Sequence, residues 1–212
     1  NSLIAAGVCA WFLVPMFNGL SSISATSDIF PSSQYYAFNF AEFWAGHFSG
    51  VMPTVLSSDV SNAPNIACGV LSILAFWLFI FDEKLSLKTK FAYLGGLVVL
   101  FISFYIGQID FIWHAFHVPN DLPFRYSFVY SFLFVIIAAY GLRSIKDIKP
   151  RYLIATAVMM GLSLLLLYLY SLKFENITGK MVLLNVVVGI IYFLLIILSK
   201  YYSNMKRFVP AL

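Results

Sequence analysis

Residues 112–128, IWHAFHVPNDLPFRYSF, combine side chains capable of chemistry with residues that bend the backbone. Asn120 and Asp121 are favoured at helix starts, and a proline in the first turn is tolerated. The pattern predicts a helix that begins near 121–123, with Arg125 one turn in. Exposed backbone N–H groups at a helix start, together with an arginine, suit a phosphate or diphosphate group. Asn120 and Arg125 are therefore candidate phosphate ligands.

A second interpretation of Arg125 stays open at this point. Its guanidinium can pair with Asp121, four residues earlier on the same predicted helix, and extend toward lipid headgroups. In that case the arginine anchors the helix and binds no substrate.

Residues 112–128 connect two apolar runs, and we call them the junction. Three further polar residues lie within it or just before it. His114 and His117 are three residues apart, as metal ligands on one helix face can be. Two histidines make an incomplete metal site, so a hydrogen-bonded pair at the membrane interface is the simpler interpretation. Asp110 suits a base, a ligand partner or an ordinary charge at the membrane edge. We expect no cofactor; a divalent metal is possible, but the pattern does not indicate one.

An aromatic segment, FNFAEFWAGHFSG at 38–50, precedes the junction by about sixty residues. Its aromatic residues and His47 recur at helical spacing, which predicts a short helix lying along the membrane interface. One interpretation is an aromatic belt segment. The other is a rim over a lipid-facing pocket, with Glu42 or His47 inside it.

The elements that must position these residues are apolar helices. The 212 residues are 61% hydrophobic and 10% charged, with a mean hydropathy of +0.89. A soluble domain carries roughly 25% charged residues, so the composition indicates an integral membrane protein. The long continuous apolar runs favour an all-α polytopic bundle of about six transmembrane helices over a barrel. The predicted spans are 3–20, 66–81, 91–107, 126–142, 153–172 and 181–199.

Basic residues are concentrated on alternate connections. Ten of the thirteen lysines and arginines lie in three of these segments, 82–90, 143–152 and the tail 200–212. Basic residues near helix ends stay on the cytoplasmic side, so these segments are predicted to be cytoplasmic. The predicted outer connections are 21–65, 108–125 and 173–180. The chain is thus expected to be a multi-pass protein of the cell membrane with an extracytoplasmic junction. Its basic tail is expected to contact membrane lipids, and no nucleic-acid partner is expected.

The junction also carries a family resemblance. IWHAFHVPNDLPFRYSFVYSF resembles the W-H-x-F-x-x-P-N-x-x-P-x-R-Y-S-F signature of the YfhO family of large bacterial polytopic membrane proteins. The segments VPMFNGLSSIS and APNIACGVLSILAFWLFIFDEKLSLKTK are similar in type and order. The resemblance covers most of residues 10–142. The chain departs from it at His117, where family members often carry Asn.

The resemblance implies a GT-C-like membrane glycosyltransferase. Such an enzyme takes a sugar from a polyprenyl-phosphate donor on the outer face and passes it to an extracytoplasmic glycopolymer, such as the lipoteichoic acid of Gram-positive bacteria. The candidate substrate-binding residues for such an enzyme are Trp113, His114, His117, Asn120, Arg125 and Tyr126.

The catalytic carboxylate of that class usually lies in the first outer loop, near the amino end of the whole protein. Residues 1–212 are expected to be a fragment of a larger transmembrane domain, with that carboxylate outside it. Within the chain, Glu42 and Asp110 are the candidates for the role.

Two other functions fit the same composition. One is a lipid or small-molecule transporter or flippase, although transporters place charges or broken helices near mid-membrane and the charges here lie at span ends. The other is a non-catalytic subunit of a membrane assembly.

Overall fold

The computed structural model describes residues 38–56, 62–119, 121–173 and 177–208, together with isolated positions before residue 38. In this part of the chain every regular element is an α-helix. The helices are α1 Phe40–Ala45, α2 Gly69–Phe81, α3 Leu87–Tyr105, α4 Gly107–Trp113, α5 Ser127–Arg143, α6 Pro150–Ser171 and α7 Gly179–Phe208.

Three of these helices are long and apolar enough to cross a membrane: α3, α6 and the Gly179–Lys200 part of α7. The apolar helices α2 and α5 are shorter, with 13 and 17 residues. They rise by about 20 Å and 25 Å, less than the roughly 30 Å of hydrocarbon. The predicted all-α membrane architecture is confirmed. Five of the six predicted spans correspond to helices, and the first, 3–20, falls largely outside the described residues.

The helix start predicted near 121–123 is wrong, although the apolar span 126–142 matches α5. Helix α5 begins at Ser127, so Arg125 precedes the helix instead of lying one turn in. Leu122 and Phe124 have φ angles of +53° and +54°, a left-handed conformation that interrupts a right-handed helix. The N–H of Leu122 donates to the carbonyl of Val55 at 2.6 Å, and Phe124 is fully buried. These tertiary contacts hold the connection away from helical geometry.

Helix α2 lies at the centre of the bundle and packs against α5, α6 and α7. Its tightest approach to α5 is at Gly141. A Cβ atom there would overlap the carbonyl oxygen of Ala75 and would lie 2.9 Å from the backbone nitrogen of Phe79. Glycine lets the two backbones meet, as small residues do between membrane helices.

The connections gather at two opposite ends of the bundle. We call the end formed by 46–56, 62–68 and 107–127 the junction end; there the Ser127 hydroxyl donates to the Asn65 carbonyl at 2.9 Å. We call the end formed by 82–86 and 144–149 the basic end. Helices α5 and α6 run from one end to the other. The charge pattern predicts that the basic end is cytoplasmic and the junction end extracytoplasmic.

Candidate functional site

A buried carboxylate and a histidine fix the geometry of the junction. Asp110 lies in the first turn of α4 and is fully buried, and His114 caps the carboxyl end of that helix. The Nδ1 atom of His114 is 2.9 Å from the Asp110 carbonyl oxygen and 3.4 Å from its Oδ1. Because a carbonyl oxygen can only accept, Nδ1 carries the proton. The Nε2 atom then accepts from the backbone N–H of Arg125, at 3.4 Å. Asp110 is thus part of the frame of the junction.

Trp113 and Tyr126 form an aromatic step beside that histidine. Their rings stack at 4.9 Å with an interplanar angle of 13°. The Tyr126 hydroxyl donates to the Ser103 carbonyl at 2.9 Å, which ties the step to α3. Tyr126 is buried, whereas 47% of Trp113 is exposed. The step therefore presents an accessible indole on a fixed support.

Arg125 lies next to this step with its side chain exposed. One of its nitrogens, Nη2, donates to the backbone carbonyl of Asp121 at 3.3 Å. The predicted alternative, an ion pair with the Asp121 carboxylate, is therefore replaced by a contact to the backbone. A guanidinium has five N–H donors, so this contact leaves most of its donor capacity for an anion.

Asn120, another predicted ligand, lies outside the described residues. His117 is half-buried, but α4 ends at Trp113, and the residues that follow it, Ala115 and Phe116, have φ angles of +56° and +64°. His114 and His117 therefore do not share a helix face. Within the described ranges no cluster of three or more His, Cys, Asp or Glu side chains is placed to hold a metal ion.

The predicted short helix is present as α1, and two side chains cap its amino end reciprocally. The Asn39 side chain accepts from the N–H of Glu42, and Glu42 Oε2 accepts from the N–H of Asn39, both at 2.9 Å. This is a capping box. Phe43 and Ala45 are buried, whereas Phe40 is exposed, so one side of α1 faces the bundle.

Glu42 also lines a cavity of about 180 Å³ at the junction end. The cavity walls come from α1, the segments 51–54 and 63–67, and Tyr170 of α6. An apolar groove of about 200 Å³ involves the same helix and is lined by Phe40, Trp44, Trp77, Met159, Leu162, Ser163 and Leu166.

His47, the other candidate in this segment, is fully buried in the turn after α1. Its Nδ1 atom lies 3.1 Å and 3.2 Å from the carbonyl oxygens of Phe43 and Trp44, and its Nε2 lies 3.0 Å from the Tyr130 hydroxyl. Burial lowers the pKa of His47 from 6.5 to about 4, although the carbonyl contacts oppose the shift. His47 is therefore a neutral structural residue.

Two amide side chains that fix backbone segments of the junction end were not identified from the sequence. Asn65 pairs with the backbone N–H and carbonyl of Thr54, at 2.9 Å and 2.7 Å. Asn185 of α7 pairs in the same way with Ser49, at 3.1 Å and 2.9 Å. The only signal in the sequence was a polar residue within or beside an apolar run, which does not identify its partner.

The family model described as "Bacterial membrane protein YfhO" matches residues 1–212 of the chain. The match is longer than the resemblance seen in residues 10–142. No curated protein and no solved structure shows a significant match.

Proposed function

The chain belongs to the YfhO family of bacterial membrane proteins, and we propose that it forms part of a membrane glycosyltransferase. In this proposal the whole protein transfers a sugar from a polyprenyl-phosphate donor to an extracytoplasmic acceptor such as lipoteichoic acid. The junction end supplies the donor-binding groups.

The observation that carries the proposal is the exposed guanidinium of Arg125 on a rigid support. Its backbone is held by His114 and, through Tyr126, by α3. An arginine held in this way is suited to the phosphate of a lipid-linked donor, because charge-assisted hydrogen bonds to phosphate are strong and directional. It would also stabilise the negative charge that develops on the departing phosphate.

Trp113 suits the sugar of the same donor. Its exposed indole is held flat on Tyr126, which leaves a firm apolar surface beside the arginine. Such a surface matches the C–H face of a pyranose ring. The juxtaposition of an aromatic step and a cation favours a ligand with a sugar and a phosphate.

The apolar groove beside α1 suits the prenyl chain. It is lined by Phe40, Trp44 and Trp77 together with apolar residues of α6. Apolar pockets with a few convergent polar groups are the common form of ligand site. A donor with its phosphate at Arg125 would extend its chain along the lipid-facing surface of the bundle.

Replacing Arg125 by alanine tests the proposal. Purified full-length protein is incubated with a labelled polyprenyl-phosphate sugar and a glycerol-phosphate acceptor. Loss of a charge-assisted contact of about 1.5–3 kcal/mol predicts donor binding weaker by about 10- to 100-fold and a comparable loss of transfer. Arg143→Ala is the matched control, because this exposed arginine is the last residue of α5, roughly 25 Å from the start of the helix, which Arg125 precedes by two residues. It should leave both quantities unchanged.

Two outcomes would contradict the proposal. Equal effects of Arg125→Ala and Arg143→Ala would remove the donor site from the junction. Wild-type protein in liposomes that moves labelled lipid across the bilayer but forms no glycosylated product would favour a transporter or flippase instead.

A further inference from the structure

We propose that the cavity beside α1 binds a hydroxyl-bearing segment of the acceptor, and that Glu42 is the base that takes the proton from that hydroxyl. The inference rests on the proposed transfer reaction and adds an acceptor site to it. The cavity lining shares no residue with the groups proposed to bind the donor, although the groove proposed for the prenyl chain also borders α1.

The first observation is the state of the Glu42 carboxylate. Glu42 is only 9% exposed, yet it lines the cavity. Oε2 is fixed by the N–H of Asn39, while Oε1 makes no hydrogen bond within the described residues. A carboxylate has about four acceptor positions, so a bound hydroxyl group can donate to it. The capping box therefore holds the carboxylate in place and leaves capacity for a ligand.

The second observation is that the cavity walls are tied down. The two hydrogen bonds between Asn65 and the Thr54 backbone join its two loop segments, and the Thr54 hydroxyl donates to the Ala63 carbonyl at 3.0 Å. On the α1 side, a Cβ atom at Gly46 would lie 3.3 Å from Cγ1 of Ile66, which leaves little room for movement. The site is preformed, as substrate sites usually are.

Size and charge indicate the ligand. A cavity of about 180 Å³ is slightly larger than the engineered cavity of about 150 Å³ that binds benzene. A glycerol unit, with six heavy atoms, is of that size. Glu42 is the one charged residue among those lining the cavity, so an anionic phosphate would be repelled. The cavity thus suits the hydroxylated part of an acceptor and not the donor phosphate.

Asp110, the other candidate carboxylate, is not placed for this role. It is fully buried and held against His114, and it lines neither the cavity that Glu42 lines nor the apolar groove beside α1. A general base must lie within hydrogen-bond reach of the proton that it removes. The structure therefore distinguishes two residues that the sequence left equivalent.

One residue links the acceptor cavity to the segment that follows Arg125. Asn65 lines the cavity with its side chain bound to Thr54, and its carbonyl accepts from the Ser127 hydroxyl, two residues after Arg125. In the transfer step the acceptor proton passes to the Glu42 carboxylate, and the acceptor oxygen bonds to C1 of the sugar. The bond from C1 to the phosphate oxygen breaks, and its electron pair leaves with the polyprenyl phosphate beside Arg125.

The test is Glu42→Gln in the full-length protein, with the labelled donor and the glycerol-phosphate acceptor. Glutamine at this position preserves a capping box, so the change removes the base without removing the cap. Transfer should fall by about 100-fold or more, the usual range for loss of a general base. Donor binding should stay within about two-fold of the wild type. Glu83→Gln, the same substitution at the exposed basic end, is the control and should leave transfer unchanged.

Transfer by Glu42→Gln within about three-fold of the wild type would overturn the assignment. Loss of donor binding together with transfer would also overturn it, because Glu42 would then serve the fold or the donor. Failure of the proposed function is seen separately, as an absence of transfer by the wild type.

Discussion

The two ends of the helix bundle are held together by different kinds of contact. At the junction end, neutral side chains bind backbone groups: Asn65 pairs with Thr54, and Asn185 pairs with Ser49. Asn185 is almost fully buried. Each of these amides satisfies an N–H and a carbonyl that would otherwise lose their hydrogen bonds.

At the basic end, charged side chains bind one another near the surface. Glu83 forms ion pairs with Lys149 and Arg151, and Lys84 forms one with Asp147 at 2.6 Å. All of these side chains are exposed by more than a third. Exposed ion pairs contribute little to stability, so this end carries its charges mainly as a topology signal.

This difference indicates which end of the bundle needs an accurate geometry. Buried neutral hydrogen bonds fix a backbone to within a narrow range, because breaking them in a low-dielectric interior is costly. The proposed donor and acceptor groups lie at the end that is built in this way. Mutations at the junction end should therefore cost more stability than mutations at the basic end.

The largest effect is expected from titration of His47 at the junction end. Its pKa is about 4 in the folded protein, against 6.5 for an ordinary histidine, because burial disfavours the charged form. Between those values the unfolded chain binds more protons, so stability is lost as the pH falls from about 6.5 to about 4. The loss approaches about 3 kcal/mol. Thermal unfolding in detergent across this pH range measures it.

His47→Gln is the variant that isolates this residue. Glutamine can hydrogen-bond to Tyr130 and to the neighbouring carbonyl groups, but it does not titrate. The unfolding temperature of the variant should depend less on pH than that of the wild type. An unchanged dependence would mean that other groups are responsible and that His47 is not the sensitive point of the junction end.

Gly141 tests how far the close packing extends toward the basic end. It lies two residues before the end of α5, and an alanine Cβ there would press on the backbone of α2 at Ala75 and Phe79. We expect Gly141→Ala to destabilise the protein by about 1–3 kcal/mol, the usual cost of overpacking. The matched control is Gly95→Ala in α3, where a Cβ meets no atom within 4 Å. That substitution should be neutral or stabilising by up to about 1 kcal/mol, since alanine favours a helix.

A loss of stability for Gly141→Ala as small as that for Gly95→Ala would contradict tight packing of α2 against α5 near the basic end. The helices themselves would then be loosely packed there, and not only the exposed charges. Unfolding in detergent at pH 7 separates the two results.

The sequence predicted well those features that depend on local composition. Apolar length located α2, α3, α5, α6 and α7, with starts within four residues of the predicted ones. The predicted membrane class and family are confirmed by these helices and by the match over residues 1–212. Both depend on properties that a short window of sequence contains.

The features that could not be predicted depend on contacts between distant segments. Asn120 and Asp121 have the signature of a helix start, but the φ angles of Leu122 and Phe124 are imposed by Val55 and by burial. The same limit applied to the candidate site. Nothing in the local sequence distinguishes the buried Asp110 from Glu42, which lines a cavity, because that distinction depends on segments far along the chain.

The smallest effect is expected from Glu83→Gln at the basic end. The pKa of Glu83 is lowered from 4.5 to about 2, first by the hydrogen bond from Lys149 and then by Tyr152 and Arg151. Any stability that it contributes is present above pH 4.5 and is lost as the pH falls toward about 2. The side chain is exposed, so at pH 7 the substitution should lower the unfolding temperature by about 2 °C or less. Raising the salt from 0.1 M to 1 M shortens the screening length from about 10 Å to about 3 Å and should erase that difference. A loss as large as that of Gly141→Ala, or one insensitive to salt, would show that the basic end is held as firmly as the junction end.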